Sequence, residues 1–241
     1  MNEYTMTNRS TDIRRNVEVL FERVRLACER AGRDSREVTV VAVSKNFSLG
    51  DIRFAFEAGV RHFGENRVQE LVQKVDLWSD RYPNGVPVWH MVGHLQRNKA
   101  KEIIGRCGLF HALDSERLAE ALSARAESKE TVVPCLVQVN VSGEDSKFGF
   151  SPDEAVQAAS ALAQYGGMKV RGLMTLAHPS TDPEAVRPEF AKLRDLFERI
   201  RSVLGAQFHV LSMGMSGDFE VAIEEGATHI RVGTAIFGER Q

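Results

Sequence analysis

Val38-Thr39-Val40-Val41-Ala42-Val43-Ser44-Lys45 is the stretch whose reading decides the fold. It is a nearly continuous β-branched run with no polar residue at every second place, the pattern of a parallel strand buried on both faces. Such strands occur where helices cover the sheet, so helices are expected on either side. The run ends in a lysine. Strand alternation puts Val41, Val43 and Lys45 on one face.

Upstream, Ile13, Val17, Leu20, Phe21, Val24 and Ala27-Cys28 recur at helical spacing, with Thr11-Asp12 as a cap signal and Gly32 behind. The spacing predicts an amphipathic helix over 13–31, and the polar residues 1–11 are expected to form a flexible tail. Downstream, β-type and α-type segments alternate. Strands are predicted at 60–64, 88–92, 109–113, 134–141, 170–176, 208–212 and 229–232. Helices are predicted at 52–58, 67–78, 99–104, 115–128, 152–164, 188–204 and 219–225, and a loop containing Pro83, Gly85 and Pro87 separates two of the units. Eight β-type runs, each but the last followed by a helix, fit a single (β/α)8 barrel over residues 12–241, with an extra N-terminal helix and no second domain. An open doubly wound sheet is the competing fold, but no Gly-x-Gly-x-x-Gly follows the first strand.

Composition narrows the function. The 241 residues carry 43% apolar and 27% charged side chains and a net charge of −2, which gives no reason to expect nucleic acid or an anionic membrane as the main partner. Cys28, Cys107 and Cys135 are odd in number, lack a Cys-x-x-Cys and sit in apolar runs, so a reduced, cytoplasmic compartment is expected. No apolar run is long enough to span a bilayer. His90 and His94 stand at a metal-like spacing, but they straddle a strand end and Gly93, where that spacing does not bring side chains together; no metal is expected.

In such barrels the chemistry gathers at the C-terminal strand ends. Lys45 at the first end has two readings: an amine held above an apolar layer and able to condense with a carbonyl, or a side chain that merely reaches solvent. At the other end of the chain, Arg231-Val232-Gly233-Thr234 closes the last strand, and Ser212-Met213-Gly214-Met215-Ser216-Gly217 follows the seventh. Both loops are rich in small residues, and the loops after strands 7 and 8 often seat phosphate. Barrel closure makes strand 8 the neighbour of strand 1. A Schiff-base lysine beside a phosphate seat suggests pyridoxal 5′-phosphate (PLP), with Arg231 facing its ring nitrogen. An aldolase that forms its Schiff base without a cofactor, and seats a sugar phosphate, is a further reading.

The runs Val41 to Lys45, His62 to Glu70, Trp89 to Lys99, Leu211 to Ser216 and Arg231 to Gly238 resemble the YggS/PROSC family of pyridoxal phosphate homeostasis proteins. The resemblance spans the chain from first strand to last. It implies a single barrel like the N-terminal domain of alanine racemase, holding PLP as an internal aldimine on Lys45. It further implies Asn66 as a cofactor contact, Ser212, Gly214, Gly233 and Thr234 as the phosphate seat, and Arg231 at the pyridine nitrogen. Lys147, in Asp145-Ser146-Lys147-Phe148-Gly149, is similar to the lysine of a family Ser-Lys-x-Gly loop. The implied function is a carrier that buffers PLP for intracellular homeostasis, with no catalytic residues assigned and apo PLP-dependent enzymes as partners. The alternative is a PLP-dependent racemase-like enzyme, which needs a second acid/base group. The tyrosines, Tyr4, Tyr82 and Tyr165, all fall away from strand ends. No side of the barrel shows a plain apolar patch, so a monomer is expected.

Overall fold

The computed structural model describes residues 3–82, 85–144 and 147–239, with side chains from Asn8 onward. Pro83 of the predicted loop and Asp145-Ser146 of the lysine loop lie outside them. Eight parallel strands close in the order β1 to β8, with β8 paired to β1: β1 (Thr39–Val43), β2 (His62–Glu65), β3 (Val88–Met91), β4 (Leu109–Leu113), β5 (Val133–Gln138), β6 (Met168–Met174), β7 (Val210–Ser212) and β8 (His229–Val232). The closing register sets Val41 beside Arg231 and Ala42 beside Val232. The predicted barrel is the observed one.

Outside the strands run α1 (Glu3–Arg30), α2 (Leu49–Glu57), α3 (Val68–Arg81), α4 (Ala100–Ile103), α5 (Glu116–Glu127), α6 (Pro152–Leu162), α7 (Arg187–Leu204), α8 (Phe219–Glu224) and the single turn α9 (Thr234–Phe237). Helix α1 packs against α2, α8 and α9 and so covers the seam between β8 and β1, where α9 is too short to do so. Its buried residues, Ile13, Val17, Leu20, Val24, Ala27 and Cys28, are the periodic ones.

One boundary differs from expectation. The first helix begins at Glu3, so residues 3–11 prolong it instead of forming a tail. Apolar periodicity marks where a helix touches its neighbours, not where its backbone starts, and ahead of Ile13 the helix carries a polar contact. Arg9 Nε donates to Asp51 Oδ1 at 2.8 Å, and its guanidinium lies 5.7 Å from the Phe47 ring centre.

Each strand is sorted by alternation. Val40, Ala42, Phe63, Trp89, Met91, Phe110, Ile230 and Val232 face the helices and belong to one apolar core with Leu71, Phe190, Phe197 and Phe208. The intervening residues face the lumen, and there the barrel departs from the usual aliphatic filling. His62, His90, His111, His229, Ser212 and Arg231 meet inside it.

Candidate functional site

A cavity of about 540 Å³ opens at the C-terminal mouth, lined by Lys45, Asn66, Gln138, Arg231, Gly233 and Thr234, with Phe47, His94, Phe148, Met215, Ser216 and Gly217 nearer its rim. The backbone on both sides of Lys45 is fixed by one charged cluster. Ser44 Oγ donates to Glu65 Oε1 at 2.6 Å, and Lys74 Nζ donates to Glu65 Oε1 at 2.8 Å and to the Ser44 carbonyl at 2.7 Å. On the other side, the Asn46 amide donates to Glu70 Oε2 at 2.8 Å. Asn46 has φ of 65°, a left-handed conformation that asparagine tolerates better than most residues, and this turns the chain from β1 toward α2. Burial raises the Glu65 carboxyl above its usual range against the opposing pull of Lys74 and Ser44, and among the described residues its Oε2 has no hydrogen-bond partner.

On the β8 side of the cavity two backbone amides share one oxygen. The amides of Gly233 and Ala235 both donate to Ser216 Oγ, at 3.2 and 3.3 Å. Two backbone N–H groups converging on one oxygen at the cavity wall form a small anion nest, and phosphate oxygens are the natural occupants of such a nest. Gly233 is small for a reason: a Cβ there would lie 3.3 Å from the Val43 carbonyl oxygen across the β1–β8 seam. The residues present therefore fit a phosphorylated carbonyl compound, with an amine and an anion seat on neighbouring strands.

Arg231 forms the floor. Its Nη1 donates to Ser212 Oγ at 2.6 Å and its Nη2 to the Thr175 carbonyl at 2.7 Å. Burial brings the guanidinium down to about 10, with Asp218 opposing that shift, so it stays cationic at neutral pH. At the mouth, His94 Nδ1 meets Asp114 Oδ2 at 2.6 Å while its ring stacks on Phe148 with centres 4.2 Å apart.

Of the residues predicted for the site, Lys45, Asn66, Arg231, Gly233 and Thr234 are brought together around the cavity. Ser212 and Gly214 are not. The Ser212 hydroxyl is fully buried beneath Arg231, and Gly214 is pressed against α8, where an added Cβ would meet the Ala222 Cβ at 2.6 Å. A strand end can serve the layer below its loop; here Ser216, four residues further on, is the serine that meets the Gly233 and Ala235 amides. Lys147 Nζ donates to Glu144 Oε1 at 2.7 Å, Ser142 Oγ at 3.1 Å and the Leu176 carbonyl at 3.3 Å, while its neighbour Phe148 lines the cavity. Sequence reasoning missed the Glu65–Lys74 cluster and the lumen histidines. The second had a signal: one histidine beside an apolar or aromatic residue in each of β2, β3, β4 and β8.

The chain is similar to known proteins over most of its length. Residues 16–241 match the family model described as alanine racemase, N-terminal domain. A pyridoxal phosphate homeostasis protein from Aquifex aeolicus is 40% identical over 222 residues, covering 92% of this chain and 96% of that one. Among solved structures, an unknown protein from Bifidobacterium adolescentis superposes with a TM-score of 0.88 at 34% identity, covering 98% and 97% of the two chains. PipY of Synechococcus elongatus, solved with PLP bound, gives a TM-score of 0.75 at 35% identity over 90% of this chain and 99% of its own.

Proposed function

The chain belongs to the pyridoxal phosphate homeostasis protein family, and on that premise we propose that it binds PLP in the cavity at the barrel mouth and acts as a carrier of this cofactor. The observation that carries the reading is the meeting of Lys45, Arg231 and the two-amide nest around one cavity. PLP supplies an aldehyde that condenses with amines. Lys45 offers the amine, on a backbone clamped through Ser44 and Asn46. The amides of Gly233 and Ala235, with Ser216 and Thr234, hold the phosphate. Asn66 would border the ring, and Arg231 would face its nitrogen.

The carrier role rests on two features. Arg231 is a permanent cation, so toward a bound ring it would donate to the nitrogen and leave no proton on it, which would weaken the ring as an electron sink. Among the described residues no tyrosine lines the cavity: Tyr82 packs on Trp78 and Tyr165 lies against the apolar core. His94 is an acid/base group at the mouth, and racemase activity is therefore the reading the test must separate. The free cysteines fit a reducing cytoplasm, with Cys107 and Cys135 pushed up to about 12 by burial and so unreactive. Among the described residues no helix is long and apolar enough to cross a membrane. We further take the protein to work as a monomer and to deliver PLP to apo-enzymes.

Titration of the protein with PLP, followed by gel filtration and an absorption spectrum, tests the reading. The wild type should retain a visible band that Lys45→Ala lacks. A protein that retains no PLP would overturn the cofactor assignment, and an equal band in Lys45→Ala would overturn the role of that lysine. Turnover of small amino acids at about 1 s⁻¹ or faster, the ordinary enzyme range, would replace the carrier with an enzyme.

A further inference from the structure

Beneath the cavity a line of hydrogen bonds crosses the lumen. His62 Nδ1 lies 2.9 Å from His90 Nε2, His90 Nδ1 lies 2.8 Å from His111 Nε2, and His111 Nδ1 lies 3.0 Å from Ser212 Oγ, which accepts from Arg231. His90 and His111 are fully enclosed, whereas His62 borders a second cavity at the opposite, N-terminal end of the barrel. The line therefore joins the far face of the barrel to the guanidinium under the cofactor site.

Its direction follows from donor inventory. A guanidinium only donates, so Ser212 Oγ is an acceptor toward Arg231 and has one hydrogen of its own to place. In a fully buried site that hydrogen needs an acceptor, and His111 Nδ1 is the one in reach. His111 is then the neutral Nε2–H tautomer, which donates to His90 Nδ1; His90 is likewise Nε2–H and donates to His62 Nδ1. Reversing the line would leave the Ser212 hydroxyl hydrogen without a partner. Protonating either inner ring would put a cation among His62, His229 and Arg231, and burial together with these neighbours holds both rings neutral.

We propose that His111 and His90 are positioning residues for Arg231: they form a one-way hydrogen-bond chain that orients the Ser212 hydroxyl, and through it fixes the guanidinium beneath the PLP ring. The proposal rests on the PLP reading for its consequence, but not for its geometry. With Ser212 oriented, Arg231 is held from two directions, by Ser212 on β7 and by the Thr175 carbonyl after β6. A guanidinium so held meets the ring without reorganising, which favours binding. Without the chain, the hydroxyl is free to rotate and the guanidinium loses one of its two fixed acceptors.

Long-range ¹H–¹⁵N spectra of the PLP-free, histidine-labelled protein test the geometry, and PLP affinity tests the consequence. The expected result is a single neutral Nε2–H tautomer at both His90 and His111 at pH 7, with Ser212→Ala releasing His111 into a mixture. His111→Leu, which removes the acceptor, should raise the Kd for PLP about tenfold. His111→Asn, whose Oδ1 can take the place of Nδ1, should stay within about threefold of wild type. A protonated Nδ1 on His111 in the wild type would overturn the proposal. So would equal losses of affinity in the Leu and Asn variants, which would mean that the ring merely fills space, or no loss in either. If His111→Leu does not fold, the wild-type tautomers and the Ser212→Ala protein still decide. If wild-type protein fails to bind PLP, the cofactor reading falls while the tautomer measurement still judges the chain.

Discussion

The two faces of the same eight strands carry different chemistry. Toward the helices, Phe63, Trp89, Phe110, Ile230 and their neighbours form an apolar sheath. One residue along each strand, in the lumen, His62, His90, His111 and Arg231 form a polar, hydrogen-bonded core. Apolar packing and the polar contacts beneath the cavity are thus separated by a register of one, and a substitution in the sheath should cost stability while leaving the contacts around the ligand in place. The sheath gives the largest expected effect. Phe190 on α7 is fully buried in it, and Phe190→Ala should cost about 3–5 kcal/mol. At about 2–4 °C per kcal/mol for a chain of this size, thermal unfolding would fall by roughly 6–20 °C, while the folded fraction retains PLP as before. A folded Phe190→Ala protein without PLP would break the separation.

The lumen gives the next effect, and its signature is pH. His90 and His111 are held well below the ordinary histidine value by burial, and His229 is brought to about 3 by burial and then by His62. All three are neutral in the folded chain, whereas in the unfolded chain each takes a proton near pH 6.5. The unfolded state therefore binds more protons below that pH, and the stability these rings permit is complete above about 6.5 and is lost as pH falls toward the folded values. Between pH 6.5 and 5 the loss for His229 should be roughly 2 kcal/mol, with His90 and His111 adding in the same direction. Denaturant midpoints at the two pH values measure it. His229→Asn should flatten the dependence. A slope equal to that of the wild type would place the acid sensitivity elsewhere.

A smaller effect is expected where the two faces meet the ligand. Thr234 opens α9 on the cavity wall beside the Gly233 amide. Thr234→Val keeps the volume and removes the hydroxyl. It should weaken PLP about tenfold, near 1.4 kcal/mol, and leave unfolding unchanged. An unaltered Kd would confine the phosphate seat to backbone amides and Ser216.

The fold was almost fully legible, because it depends on periodicities that the sequence displays: β-branched runs such as Val38 to Val43, and helical spacing from Ile13 onward. The start of α1 escaped because polar contacts such as Arg9 with Asp51 have no period. Of the cavity lining, Lys45, Asn66, Arg231, Gly233 and Thr234 are legible because each is a functional type at a strand end. The Ser212 side chain lies one layer below the cavity. A hydroxyl at a strand terminus can face the ligand or the lumen, and only the neighbours, His111 and Arg231, decide which. The same limit hid Lys74, which reaches Ser44 from a helix and leaves no local mark on the strand.

The smallest effect lies at the seam between the two regions. Ser48 caps α2 three residues after Lys45: its hydroxyl accepts from the Asp51 amide at 3.1 Å, and the Asp51 carboxylate accepts the Ser48 amide at 3.1 Å, a reciprocal box. Ser48→Ala removes one half of that box and should cost about 1 kcal/mol, seen as a fall of about 2–4 °C in unfolding temperature. The cap is mechanically close to Lys45, yet the lysine backbone is fixed from elsewhere, by Lys74 and Glu65 through Ser44 and by Glu70 through Asn46. A loosened α2 should therefore leave the PLP band and affinity unchanged. If Ser48→Ala lowers PLP retention as well, the turn from Lys45 to Ser48 is a single mechanical unit, and the sheath reaches the lysine through its helix cap.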